Sequence, residues 1–254
     1  MKKYTLKKHK VSALLLACLC ALSCMAGCAS GSGEAAGSQS KQAESTYEEV
    51  NDEKPVIYVY GEEDDQEVDV TLSTDQTITC EYPARPDGEN TWYLKADRDG
   101  TLSYFTSAAD RDKDAQVEGL VNEYNYLYWE GKSKASYDFS RGYCVAGRDS
   151  VYFLEEKLAA LGLNRKEANE FIVYWLPKLQ ANPYNIISFQ KETYTDEFRL
   201  TTKPAADHML RVFMAFKASD KEVDIQEQDL GAIRGDFSRD GLTVVEWGGA
   251  QVKK

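Results

Sequence analysis

The sequence predicts an α+β fold, an antiparallel β-rich body with a central helical hairpin at about residues 150–177. Three observations lead there. Apolar residues recur with a period of two from residue 54 to about 105 and again from about 185 to 246. Between these stretches the period becomes helical, and the intervals are too short for repeated β-α-β crossovers.

The first segment precedes that body. Lys2, Lys3, Lys7, Lys8 and Lys10 are followed by an apolar run from Val11 to Leu22. This is the pattern of a secretory signal, and it falls short of the ~20 apolar residues a spanning helix needs. Met25-Ala26-Gly27-Cys28 then reads as a bacterial lipoprotein cleavage site, with residues 1–27 removed and Cys28 acylated. Cys24 is a second candidate, but bulky Leu22 stands beside its small position; an unlipidated secretory signal is a third reading. Residues 28–53, mostly Gly, Ser, Ala, Gln and Glu, are expected to form a tether, because they bury too little surface to offset their ordering entropy. The globular domain is expected over 54–254, either as one unit or as a β-rich 54–145 part joined to a 146–254 part.

Within it, Lys54 to Tyr60 is β-branched and aromatic, as strands are. Val68-Val70-Leu72, Ile78-Cys80-Tyr82, Trp92-Leu94-Ala96 and Leu102-Tyr104 then alternate, implying a sheet with one face buried. Asp97-Arg98-Asp99-Gly100 supplies a hairpin turn. A further strand is expected at Tyr124–Trp129, and an aromatic segment runs from Tyr137 to Val145. Val151, Leu154, Leu158 and Leu161 mark a helix from Ser150, capped by Asp149 or Ser150 and ended by Gly162. Asn164 and Glu167 have capping-box spacing for a second helix through Trp175, which Pro177 should end or kink. Strands return at Asn185–Gln190, Phe198–Thr202, Leu210–Phe216, Glu222–Gln226 and Leu242–Glu246.

The formal charge is −12, and cleavage before Cys28 removes five lysines and no acids, leaving −17. Such a charge repels phosphate backbones and anionic headgroups, so no nucleic-acid partner is expected and the lipid must provide the membrane attachment. One histidine, His208, and two body cysteines, Cys80 and Cys144, remain. An exported chain can join these two in a disulfide, or both can be free thiols; spacing alone does not decide. No metal or cofactor is expected.

Lys54-Pro55-Val56-Ile57-Tyr58-Val59-Tyr60, Tyr126-Leu127-Tyr128-Trp129-Glu130-Gly131, Phe171-Ile172-Val173-Tyr174-Trp175-Leu176-Pro177, Arg211-Val212-Phe213-Met214 and Val244-Val245-Glu246-Trp247-Gly248-Gly249 together resemble a family of uncharacterised bacterial lipoproteins and hypothetical proteins. The resemblance spans about residues 54–250. The family's opening motif tends to read KPVIYLYP, whereas this chain has Val59 and Gly61 at the third- and first-from-last positions of that motif. The resemblance implies domain bounds and no activity.

Two Trp/Glu neighbours are the candidate ligand contacts: Trp129 with Glu130, and Glu246 with Trp247. Strand alternation puts each indole and its carboxylate on opposite faces. In one reading the tryptophans are core and the glutamates solvated; in the other they line a groove for a glycan, a peptide or an envelope protein. A hydrolase is the alternative, and needs two carboxylates across one bond at ~5–9 Å, for which Glu130 and Glu246 are the first choice. Asp110-Arg111-Asp112-Lys113-Asp114 begins like a calcium loop, but Ala115 and Val121 stand where glycine and glutamate are required. Arg234-Gly235-Asp236 reads as a polar loop, and no Gly-x-Ser-x-Gly or His-Glu-x-x-His occurs. The sequence thus points to a lipid-anchored, extracytoplasmic binding protein.

Overall fold

A computed structural model describes residues 50–253 except 117, 118, 120 and 121. The expected signal peptide, Cys28 and tether residues 29–49 lie outside the described residues. In chain order the strands are β1 (Val50–Tyr60), β2 (Gln66–Ser73), β3 (Thr77–Tyr82), β4 (Thr91–Ala96), β5 (Leu102–Phe105), β6 (Glu123–Tyr124), β7 (Leu127–Ser133), β8 (Tyr143–Ala146), β9 (Tyr184–Gln190), β10 (Arg199–Lys203), β11 (His208–Ser219) and β12 (Thr243–Gln251). The helices are α1 (Ala108–Asp112), α2 (Ser150–Leu161), α3 (Arg165–Gln180), α4 (Glu192–Glu197) and α5 (Gly231–Arg234). The molecule is α+β with a β-rich body.

Seven strands form one sheet in the order β3-β7-β1-β12-β11-β9-β8, and five form a second in the order β10-β2-β4-β5-β6. All pairs are antiparallel except β11 with β12. The seven-stranded sheet is the middle layer. Ile57, Val59, Trp129, Phe213 and Val244 face the second sheet, packing with Val70, Trp92 and Leu94. Val56, Tyr58, Met214, Val245 and Trp247 face α2 and α3, packing with Leu158, Phe171 and Trp175. Covered on both sides, β1 from Pro55 to Val59 and β12 from Thr243 to Ala250 are buried at every position.

Four local features differ from what the sequence predicts. Sheet begins at Val50, inside the expected tether, because Val50, Asn51 and Asp52 pair with Ser133, Lys132 and Gly131. The strand expected at 124–129 divides between the two sheets, β6 in one and β7 in the other. Glu222–Gln226 joins no sheet apart from a single bridge between Arg141 and Gln226. Pro177 does not end α3, which runs to Gln180. Pro177 and Val173 are both exposed, so the hydrogen bond lost at the proline lies on the wet side of the helix. Beyond it, Asn185 Nδ2 donates to Leu179 O at 2.9 Å and Asn182 Nδ2 to Lys178 O at 3.2 Å, closing the helix end.

The helical hairpin follows its sequence signals closely. Gly162 ends α2 at φ 103°. Asn164 Oδ1 accepts from Glu167 N at 3.0 Å while Glu167 Oε2 accepts from Asn164 N at 2.8 Å, the reciprocal capping box. The Gly248-Gly249 pair has a packing cause, since a Cβ on Gly249 would stand 2.5 Å from Met214 O and 2.8 Å from the Trp175 ring. Among the described residues no helix is long and apolar enough to cross a membrane.

Candidate functional site

The four residues selected from the sequence separate. Trp129 and Trp247 are both fully buried, on opposite faces of the middle sheet. Neither lines a surface groove; both are core, because both faces of this sheet are covered. Glu246 is also fully buried, not solvated. Its ladder neighbour Arg211 donates from Nε to Glu246 Oε2 at 2.6 Å, and Trp129 Nε1 donates to Glu246 Oε1 at 3.2 Å. Arg211 Nη1 also donates to Phe198 O at 2.6 Å, and the guanidinium lies 4.7 Å from the Tyr194 ring centre. Both carboxylate oxygens are thus occupied. Glu130, one residue from Trp129, faces the helix layer instead, so Glu130 and Glu246 stand on opposite sides of the sheet and cannot work across one bond.

A second buried carboxylate escaped the sequence reading. Asp52 is 0 % exposed, and the Tyr137 hydroxyl donates to its Oδ1. Burial pushes its pKa up to about 6; the Tyr137 and Ser133 hydroxyls pull it down, and the charge of Glu197 pushes it up. Burial likewise raises the Tyr194 hydroxyl well above its usual range, with Glu246 adding to the shift. Asp52 Oδ2, Tyr194 Oη and Arg211 Nη2 are buried without a hydrogen-bond partner among the described residues. Glu197, which accepts from Gln76 Nε2, lines a cleft of about 410 Å³ between Ser73–Gln76 and Asp196–Arg199. Asp52 was hidden in a polar stretch with no apolar alternation around it.

The helix-facing side of the sheet is different at its rim. Half-buried Tyr126, Tyr128 and Tyr174 stand where β7 and β1 meet α3. β1 is irregular between Glu53 and Val56, and Lys54 there has φ 56°, a conformation that side chains other than glycine seldom adopt. Its ammonium lies 4.9 Å from the Tyr128 ring centre and 5.6 Å from that of Tyr126. Tyr174 Oη donates to Glu53 Oε2 at 2.9 Å, and Lys178 bonds the same oxygen. Tyr128 is raised out of its usual range by burial and by bonding to Glu130. This strip brings aromatic rings, carboxylates and an ammonium together at one half-buried rim.

The remaining candidates are used locally. Cys80 is exposed and Cys144 half-buried, and both are free thiols, so no disulfide joins them; Cys80 lies on the edge strand β3 and Cys144 on the opposite edge strand β8. His208 Nε2 is 2.9 Å from Ser238 Oγ, a contact with the distance of a base and nucleophile. Ser238 Oγ also bonds Asp240 Oδ2 at 3.1 Å. One hydroxyl proton cannot serve both, and the anionic carboxylate takes it, so His208 donates to Ser238 instead of activating it. In the calcium-like stretch, Asp110 bonds Thr106 and Ser107, and Asp114 bonds Lys95. Among the described residues no group of three or more His, Cys, Asp or Glu is arranged to hold a metal ion. The Arg234-Gly235-Asp236 triplet is exposed, with Arg234 closing α5 and Gly235 and Asp236 in the turn after it.

Over 81 residues the chain is 32% identical to the "Uncharacterized protein in bglA 3'region" of Butyrivibrio fibrisolvens, a stretch covering 32% of this chain and 68% of that protein. No protein-family model matches the chain, and no solved structure matches it.

Proposed function

The chain belongs to the same family as the Butyrivibrio fibrisolvens protein, whose name assigns no activity, and from its own surface we propose that it is a lipid-anchored extracytoplasmic protein that binds glycans without cleaving them. The observation that carries this reading is the rim strip of Tyr126, Tyr128 and Tyr174 with Lys54, Glu53 and Glu130. A sugar's apolar side would stack on the tyrosine rings in place of the ammonium now over each, Lys54 over Tyr126 and Tyr128 and Lys178 over Tyr174, and the flanking charges offer partners for its hydroxyls. Cys28 would carry the lipid, and the tether after it would hold the strip away from the membrane surface.

The test is a thermal-shift screen of the full chain against cell-wall and other glycan fragments. A binder at about a hundred times its Kd stabilises the native state by about 2.7 kcal/mol, which is several degrees in a chain of this size. The double variant Tyr126→Ala, Tyr128→Ala should lose that shift. A shift that survives the double variant, or its absence with every fragment, removes the strip from consideration. Cys28→Ser should move the chain from the membrane to the soluble fraction.

A hydrolase is the second reading, and one observation favours it: buried Asp52 with a raised pKa, influenced by Glu197 at a cleft wall. In this reading only Glu197 would reach a substrate; Asp52, sealed from solvent, would act through its influence on Glu197. Release of reducing sugar that is abolished by Glu197→Gln would establish it over simple binding.

A further inference from the structure

The middle sheet ends at β8, a four-residue strand whose outer side pairs with no other strand among the described residues. In an antiparallel ladder only alternate residues of an edge strand direct their backbone groups at the partner, so the others point outward. Close by runs Glu222–Gln226. Its exposure alternates as in a strand packed on one side, with Glu222, Asp224 and Gln226 exposed and Val223 and Ile225 half-buried. Yet it is held to the β8 region by little. Gly142 N donates to Gln226 O at 2.9 Å, and Val223 N donates at 3.2 Å to Cys144 Sγ, a weak acceptor. Between this segment and β8, with Tyr152 and Phe153 of α2 alongside, opens a cleft of about 690 Å³.

We propose that this cleft binds an extended, basic segment of another polypeptide, added as a strand to the free edge of β8. Two strand-like backbones that pair only at Gln226, beside Arg141 and Gly142 just before β8, diverge around the same space, and an added strand would satisfy outward groups of β8 itself. The charge of the walls identifies the occupant. Asp149, Glu156, Glu222, Asp224 and Glu227 line the cleft against one cation, Lys157. That cation is already committed, bonded to Glu156 Oε1 at 2.9 Å and lying 5.0 Å from the Tyr143 ring centre. A guest with lysine or arginine at alternate positions would meet these carboxylates, and its apolar positions would meet Val145 and Ile225. Tyr152, 76% exposed, offers its ring to the stem of a long basic side chain. Four strand residues span about 13 Å, so a guest of four to six residues matches the edge. The tyrosine rim lies toward the opposite edge of the sheet, so this proposal stands or falls independently of it.

Fluorescence anisotropy of the full chain with a labelled Lys-Val-Lys-Val-Lys-Val peptide tests it, with the Glu-Val counterpart as the control. The basic peptide should bind and the acidic one should not. Methylating the backbone nitrogens of one alternate set of guest residues should weaken binding roughly fivefold per lost hydrogen bond, and methylating the other set should leave it unchanged. The double variant Glu222→Lys, Asp224→Lys changes only exposed side chains and should weaken binding about tenfold at low salt, less at high salt. Equal binding of the two peptides, equal tolerance of both methylated sets, or unchanged binding by the charge-reversed variant would each overturn the proposal.

Discussion

The two faces of the seven-stranded sheet handle charge in opposite ways. Toward the second sheet, Glu246 and Asp52 are sealed from solvent, one held by Arg211 and Trp129 and the other by Tyr137. Toward the helices, Glu53, Glu130 and Glu170 are half-buried at a rim, where tyrosines accompany them. A sealed carboxylate has only its protein partners, so losing one leaves a charge with nothing to replace it. At the rim water can substitute, and for the same reason a ligand can. A strongly perturbed interior group and an accessible one are therefore different things in this molecule, and the rim is the better place to seek a partner.

The largest effect that would break this comparison is at Arg211. Replacing it with methionine should cost about 3–5 kcal/mol, because Glu246 would be left buried and unpaired. Glu130→Gln at the rim should cost less than about 1 kcal/mol. Adding Glu246→Leu to Arg211→Met should recover much of the loss, since no orphan charge then remains. Urea unfolding of the three variants measures all of this. If Arg211→Met unfolds no more easily than Glu130→Gln, the interior pair is not the obligate element described.

Next in size is Asp52, whose effect depends on pH. Its pKa is about 6 in the folded chain against 3.8 for the unperturbed group. The protonated form is thus favoured by folding. Its stabilisation is fully present below pH 3.8 and is lost as pH rises through 6. At pH 7 and above, the ionised carboxylate leaves the fold about 3 kcal/mol weaker than the neutral one would. Asp52→Asn keeps an oxygen for the Tyr137 hydroxyl and does not ionise. The stability gap between variant and natural chain should therefore swing by about 2.4 kcal/mol in favour of the variant between pH 4 and pH 8, part of the effect being already lost at pH 4. A gap that stays constant over that range would show that Asp52 is not sealed as its burial indicates.

These residues also mark where sequence reading stops. Alternation correctly separated Trp129 from Glu130 and Glu246 from Trp247, because a two-residue period is a local property of a strand. Which side met solvent depended on layers assembled from distant segments, and in this fold neither side of β12 does. The pairing of Arg211 with Glu246 spans 35 residues and arises from the parallel ladder of β11 and β12; nothing near either residue announces it. Asp52 was concealed because its strand begins in polar sequence and is held by β7, about eighty residues further on. The helical hairpin was legible since caps and a 3.6-residue period are encoded within a few positions. That α3 runs past Pro177 was not legible, because the proline's cost depends on which side of the helix is wet.

The smallest effect probes the point where the two regimes meet. Glu167 is on the helix side of the sheet yet fully buried, bonded by Arg239 and by the backbone of Asn164. Asn164 in turn caps α3 and donates from Nδ2 to Tyr60 Oη at 3.2 Å. Asn164→Ala removes the cap acceptor and should cost about 1 kcal/mol. Asp149, the corresponding residue of α2, makes no side-chain cap bond, so Asp149→Ala should stay within about 0.5 kcal/mol of the natural chain. The variant also loses the Asn164 Nδ2 bonds to Glu167 Oε1 and Tyr60, but Glu167 keeps Arg239 and the Tyr60 hydroxyl, so the loss should remain far below that of Arg211→Met. A cost for Asn164→Ala approaching several kcal/mol would mean that Glu167 behaves as Glu246 does, and that sealed charge extends across both faces of the sheet.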